Sequence, residues 1–103
     1  MGDTSATPDV LSEQECWKLL RAKEFGRLAY VVDGTPAIVP INYVVDDTEL
    51  VFRTTDGSKL DSIIADPRVA FEVDDIDDPA EQGSSVVVRG TAHVLDPDEE
   101  YRI

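Results

Sequence analysis

A chain of 103 residues with 42% hydrophobic content is sized for one domain built around one core. Its 22 acidic and 9 basic residues leave a formal charge of −13, which excludes a general nucleic-acid or anionic-membrane surface, because both partners are polyanions. The aliphatic residues come in short blocks, none near the roughly 18 to 20 apolar residues of a membrane span.

The first residues, Met1 to Asp9, are polar and lack the basic and apolar segments of a secretory signal. We therefore expect a flexible leader over residues 1–10, a single domain over 11–103 and a cytoplasmic protein. The lone Cys16 cannot form an internal disulfide, which fits a reducing compartment.

Ser12 followed by Glu15 has the form of a capping box, and Cys16, Trp17, Leu19 and Leu20 recur behind it at helical spacing, so a helix is predicted over Leu11 to Lys23. Phe25 and Gly26 break it. Arg27 to Val32, rich in β-branched and aromatic residues, reads as a strand. Asp33-Gly34 tolerates the positive φ angles of a tight hairpin turn and pairs that strand with Pro36 to Val45. After a polar turn at Asp46-Asp47, Glu49 to Thr54 forms a third strand.

The period then changes. Leu60, Ile63 and Ile64 stand at i, i+3 and i+4, and Pro67 stops a short helix near Asp66. Val69 to Val73 gives a fourth strand, and Asp74 to Gly83 an acidic loop. That loop is read as solvated rather than calcium-binding, since the glycine and distal glutamate of an EF-hand loop are misplaced or absent. Ser84 to Leu95 forms a fifth strand in which Gly90 marks a bulge or bend, and Asp96 to Glu99 starts another helix. The fold expected is mainly β, a small antiparallel barrel with short helices at its ends.

Cys16 reads as an ordinary apolar residue of a helix face rather than a catalytic thiol, because His93, the single histidine, lies in a different segment with no obvious partner. The richest chemistry lies in Phe52-Arg53-Thr54-Thr55-Asp56-Gly57-Ser58-Lys59. A guanidinium, three hydroxyls, an ammonium and a flexible glycine gather there at a strand-to-helix junction, where backbone N–H groups and the helix dipole favour an anion such as phosphate. The same residues also admit a plainer reading, in which Ser58 or Asp56 caps the helix while Arg53 and Lys59 are solvated charges. The spacing differs from a nucleotide-triphosphate P-loop.

Taken in order, Leu11 to Trp17, Phe25 to Ala29, Val39-Pro40-Ile41-Asn42-Tyr43, Phe52 to Lys59 and Asp66 to Phe71 resemble the pyridoxamine 5′-phosphate oxidase-like proteins, which share the FMN-binding split-barrel fold. The resemblance implies a split β-barrel with the isoalloxazine ring beside Pro40, Ile41, Asn42 and Tyr43. It also implies that Arg53, Thr54, Thr55, Ser58 and Lys59 hold the cofactor phosphate. Without it, Pro40, Asn42 and Tyr43 read as an edge irregularity and two strand residues. Val86 to Gly90 resembles a later barrel strand that packs at a dimer interface near the ring.

FMN is the leading cofactor, with deazaflavin or FAD as alternatives; haem lacks a histidine ligand. The family continues for some tens of residues into a last helix and closing strand, so the barrel is expected to lack those elements here. No match appears for the basic and histidine residues that hold pyridoxamine phosphate, so vitamin B6 oxidation is not implied. The expected function is that of a homodimeric flavin-dependent oxidoreductase working with a small-molecule electron donor or acceptor. A non-catalytic flavin or deazaflavin carrier and a cofactor-free dimerisation module are the alternatives, and no residue reads as an acid or base catalyst.

Overall fold

The computed structural model describes residues 10–77 and 82–95. Along the chain run α1 (Glu13–Ala22), β1 (Phe25–Val32), β2 (Thr35–Asp46), β3 (Glu49–Phe52), α2 (Gly57–Ala65), β4 (Arg68–Asp77) and β5 (Gln82–Thr91). The strands form one antiparallel sheet in the order β3-β2-β1-β4-β5. Mainly β, with two short helices on a curled half-barrel, it is the architecture expected from the sequence.

The curl originates in β2, which changes partner partway along its length. Thr35 to Asn42 pair with β1, and Tyr43 to Asp46 pair with β3. One long strand thereby serves two ladders that meet at Asn42–Tyr43. The hairpin that starts it is the predicted one, with Asp33 and Gly34 at φ of 49° and 79°. At the β2–β3 turn Asp47 sits at φ 56°, a conformation that aspartate tolerates better than most residues.

α1 begins with the complete capping box: the Ser12 backbone N–H donates to Glu15 Oε1 at 2.9 Å, and the Glu15 N–H donates to Ser12 Oγ at 3.1 Å. The Ser12 backbone N–H, and then the Ser12 hydroxyl, hold the Glu15 carboxyl below the usual carboxylate range. The core joins Leu20 of α1, Leu28, Ile41 and Tyr43 of the first hairpin, Ile63 of α2, and Phe71, Val73 and Val86 of β4 and β5. Cys16 and Trp17 pack against it as apolar residues.

The acidic loop expected from Asp74 onward is corrected. Asp74 to Asp77 extend β4 and pair with Gln82 to Ser85, so the ladder overrides the weak strand preference of aspartate. Gly90 pairs with Val69 in an unbroken β4–β5 register, without the bulge expected there. His93 lies past the end of β5, exposed. The leader up to Asp9 and the helix start at Asp96 to Glu99 lie outside the described residues. Among the described residues no helix is long and apolar enough to cross a membrane.

Candidate cofactor-binding site

Strand alternation divides the predicted ring-side segment. Pro40 and Asn42 are exposed, whereas Ile41 and Tyr43 point into the core, Tyr43 with only 3% of its surface accessible. The Tyr43 ring meets Phe71 edge-on, with centroids 4.6 Å apart, and its hydroxyl donates to the Leu20 carbonyl at 2.5 Å. Burial raises the pKa of this phenol. The Glu24 carbonyl accepts from the Tyr43 N–H at 3.1 Å and from Asn42 Nδ2 at 3.3 Å, which ties the α1–β1 connection to the point where β2 changes ladders.

The second predicted group follows directly. Phe52, the last residue of β3, pairs with Tyr43, so the chain leaves the sheet at Arg53 immediately beside the ring-side segment. Arg53, Thr55 and Ser58 are exposed, and Thr54 and Lys59 are half-buried. The structure thus sets the start of the second group, Arg53, beside Tyr43 at one end of the β2–β3 ladder, while α2, which carries Ser58 and Lys59, packs against β1.

Asp56 organises the junction. It is the N-cap of α2, and its Oδ1 accepts from the Ser58 N–H at 3.0 Å, the Lys59 N–H at 3.3 Å and the Ser58 hydroxyl at 2.6 Å. Its own N–H donates to Thr54 Oγ1 at 3.1 Å. The Ser58 hydroxyl, and then the Lys59 N–H, hold the Asp56 carboxyl below its ordinary range. The donor set fits an anion, with two cations and three hydroxyls in a stretch of seven residues, Arg53 to Lys59. A phosphate placed there shares the first helical N–H groups and Ser58 with a carboxylate.

A charged cluster on the outer sheet face is legible only in the structure. Arg27, opposite Pro40 on β1, donates through Nη1 to Glu72 Oε1 at 3.1 Å and Asp74 Oδ2 at 3.0 Å on β4. Strand alternation carries Phe25, Ile38, Ile76 and Val87 onto this same face, and all four are exposed. A separate cavity of about 310 Å³ lies between the β1–β2 turn and α2, lined by residues that include Asp33, Asp61 and Asp66, and it contains none of the predicted site residues.

Residues 12–103 match the family model described as pyridoxamine 5′-phosphate oxidase. The chain belongs to the pyridoxamine 5′-phosphate oxidase-like family. It is similar to the crystal structure of an FAD-binding protein from Mesorhizobium loti, at 38% identity and a TM-score of 0.77, covering 84% of this chain and 62% of that one. It is also similar to the FAD-binding protein of Mycobacterium smegmatis, at 45% identity and a TM-score of 0.73, over 85% of this chain and 72% of that one. An F420 reductase matches at 35% identity and a TM-score of 0.63, over 79% of this chain and 64% of that chain. An uncharacterized protein of Mycobacterium tuberculosis, Rv0080, is 35% identical over 89% of this chain and 64% of its own length. The chain therefore spans a little under two thirds of the curated relative's length. These likenesses support flavin-type binding by the family fold.

Proposed function

We propose that the chain binds a flavin, with the cofactor phosphate at Arg53, Thr54, Thr55, Ser58 and Lys59 and the ring alongside Pro40 to Tyr43. The observation that carries this reading is the Tyr43–Phe52 pairing, which sets the anion-fitting junction next to the strand segment where the sheet changes ladders. In this arrangement Pro40 and Asn42 offer their side chains, while Ile41 and Tyr43 offer backbone, because their side chains are committed to the core. FMN is the leading ligand in this reading, and the similarity to FAD-binding proteins and to an F420 reductase supports FAD and deazaflavin as alternatives.

A bound flavin supplies the redox chemistry; the chain's residues bind and orient it. The reading is that of an oxidoreductase exchanging electrons with a small molecule. A homodimer completes it, because the outer sheet face carries Phe25, Ile38, Ile76 and Val87 exposed around the Arg27 cluster.

Titration of the purified chain with FMN, FAD and riboflavin, followed by flavin fluorescence and absorbance, tests binding. Saturable uptake of a phosphate-bearing flavin is expected. No uptake of any flavin overturns the reading, and turnover with reduced nicotinamide and an electron acceptor separates an oxidoreductase from a carrier.

A further inference from the structure

We infer that Arg89 is the counter-charge that allows a second copy of this chain to cover the outer sheet face. The inference rests on the homodimer reading above and names the residue that specifies the partner.

Exposed Phe25, Ile38, Ile76 and Val87 surround a charged centre on this face. There Arg27 Nη1 holds both Glu72 and Asp74, at 3.1 and 3.0 Å, so two carboxylates share one guanidinium. Their side chains are 28% and 23% exposed, and water solvates the surplus negative charge in the free chain. Arg89 stands on the same face. It pairs with Ala70 on β4, two residues from Glu72, whose own partner on β5 is Val87. That diagonal spans about 7 to 8 Å, within reach of a long side chain. Arg89 is nonetheless exposed and makes no ion pair among the described residues. A solvated pair contributes little, so nothing fixes the guanidinium against Glu72 while the face is wet.

Covering the face changes the balance. A two-fold contact brings the same cluster in from both copies, and the removal of water leaves one uncompensated carboxylate charge from each. Arg89 cancels it. The block runs over Phe25 to Ala29 on β1, Ile38 to Asn42 on β2, Ala70 to Asp74 on β4 and Ser85 to Arg89 on β5. Its outward charges are Arg27 and Arg89 against Glu72 and Asp74. It is neutral in a chain whose net charge is −13, so a second copy meets no net repulsion here. A strongly basic partner would instead be drawn to the acid-rich surface outside the block.

Arg89→Gln removes the counter-charge. Arg89→Thr, which introduces a good strand former, provides a second neutral version, and circular dichroism confirms the fold of each. Glu72→Gln tips the balance the other way, and the double variant Arg89→Gln/Glu72→Gln returns the block to neutrality. Lys18→Gln, exposed on α1, controls for the change in total charge. Dimer dissociation constants are read by sedimentation equilibrium over a dilution series of the full chain and each variant.

The Arg89→Gln dimer is expected to be about thirtyfold or more weaker than the parent, the lower end for truncating one member of an interfacial charge pair. Glu72→Gln is expected to be weaker as well, the double variant tighter than either single one, and Lys18→Gln unchanged. Parental affinity in the folded Arg89 variants, or a double variant no tighter than Arg89→Gln, overturns the inference and leaves the homodimer standing. An equal loss in Lys18→Gln also overturns it, assigning the effect to total charge. If the parent is a monomer at every concentration, the inference and the homodimer reading both fall.

Discussion

Phe71 places its ring in the space left by the missing side chain of Gly26, diagonally across the β1–β4 ladder. A Cβ at Gly26 would collide with that ring and stand 2.8 Å from the Glu72 carbonyl oxygen, so ring and backbone would both have to move. Phe71 also packs edge-on against Tyr43, and the strain would reach the candidate site. Gly26→Ala is expected to destabilise the fold by about 1 to 3 kcal/mol, the range for overpacked cores. Urea denaturation checks this, and an unchanged midpoint would show that the space is not needed.

Tyr43→Phe separates a core role from a ligand role. It removes the hydroxyl that donates to Leu20 and leaves that carbonyl without its partner, at a cost of about 1 to 3 kcal/mol. Because the side chain faces inward, flavin affinity is expected to stay within about twofold of the parent, well under the effect of losing a hydrogen bond. A large loss of affinity in a folded variant would place the phenol at the ligand.

Arg53→Ala and Lys59→Ala test the phosphate junction from its positive side. Each charged hydrogen bond is worth about 1.5 to 3 kcal/mol, so each variant is expected to bind FMN about tenfold to a hundredfold more weakly. Riboflavin, with no phosphate, is expected to be unaffected. Parental FMN affinity in both variants, or equal losses for riboflavin, would move the phosphate elsewhere.

Acid titration should single out Asp66. Arg68 donates to it from Nε at 2.9 Å, from Nη2 at 2.7 Å and from its backbone at 3.2 Å, which lowers the Asp66 pKa from 3.8 to about 2. A depressed carboxylate contributes stability that is present above its unfolded value and lost as pH falls through the folded one, here between 3.8 and about 2. Carboxyl NMR should show Asp66 titrating near 2 in the parent and moving up toward 3.8 in Arg68→Ala. Titration at an ordinary aspartate value in the parent would refute the pairing in solution.

The homodimer predicts a solution mass of twice the 11.3 kDa chain. Ile38→Asp and Val87→Asp place like charges on the apolar outer face and should shift the mass toward a monomer while the fold is retained. Light scattering over a concentration series decides it. A monomeric parent, or variants that remain dimeric, would remove this face from the interface.

Local chemistry made much of this protein readable in one dimension. Ser12 and Glu15 satisfy each other's backbone across three residues, Asp33-Gly34 sets its turn within two, and the spacing of Leu60, Ile63 and Ile64 marks a helix; all three appear in the structure. The order of the motifs was sufficient for the family, and the gathering of cations and hydroxyls after Phe52 was visible as a candidate anion site. What depended on distant partners was not visible. Asp74 to Asp77 read as loop because aspartate is a poor strand former, until Gln82 to Ser85 supplied a ladder. Arg27 could not be connected to Glu72 and Asp74, some 45 residues on, without the β1–β4 pairing. The tertiary structure also decided that the Tyr43 side chain belongs to the core, since strand parity and the fold together determine which face is buried. Of the two candidate caps, Ser58 and Asp56, it chose Asp56, because only the folded backbone aims the Ser58 and Lys59 N–H groups at one carboxylate oxygen.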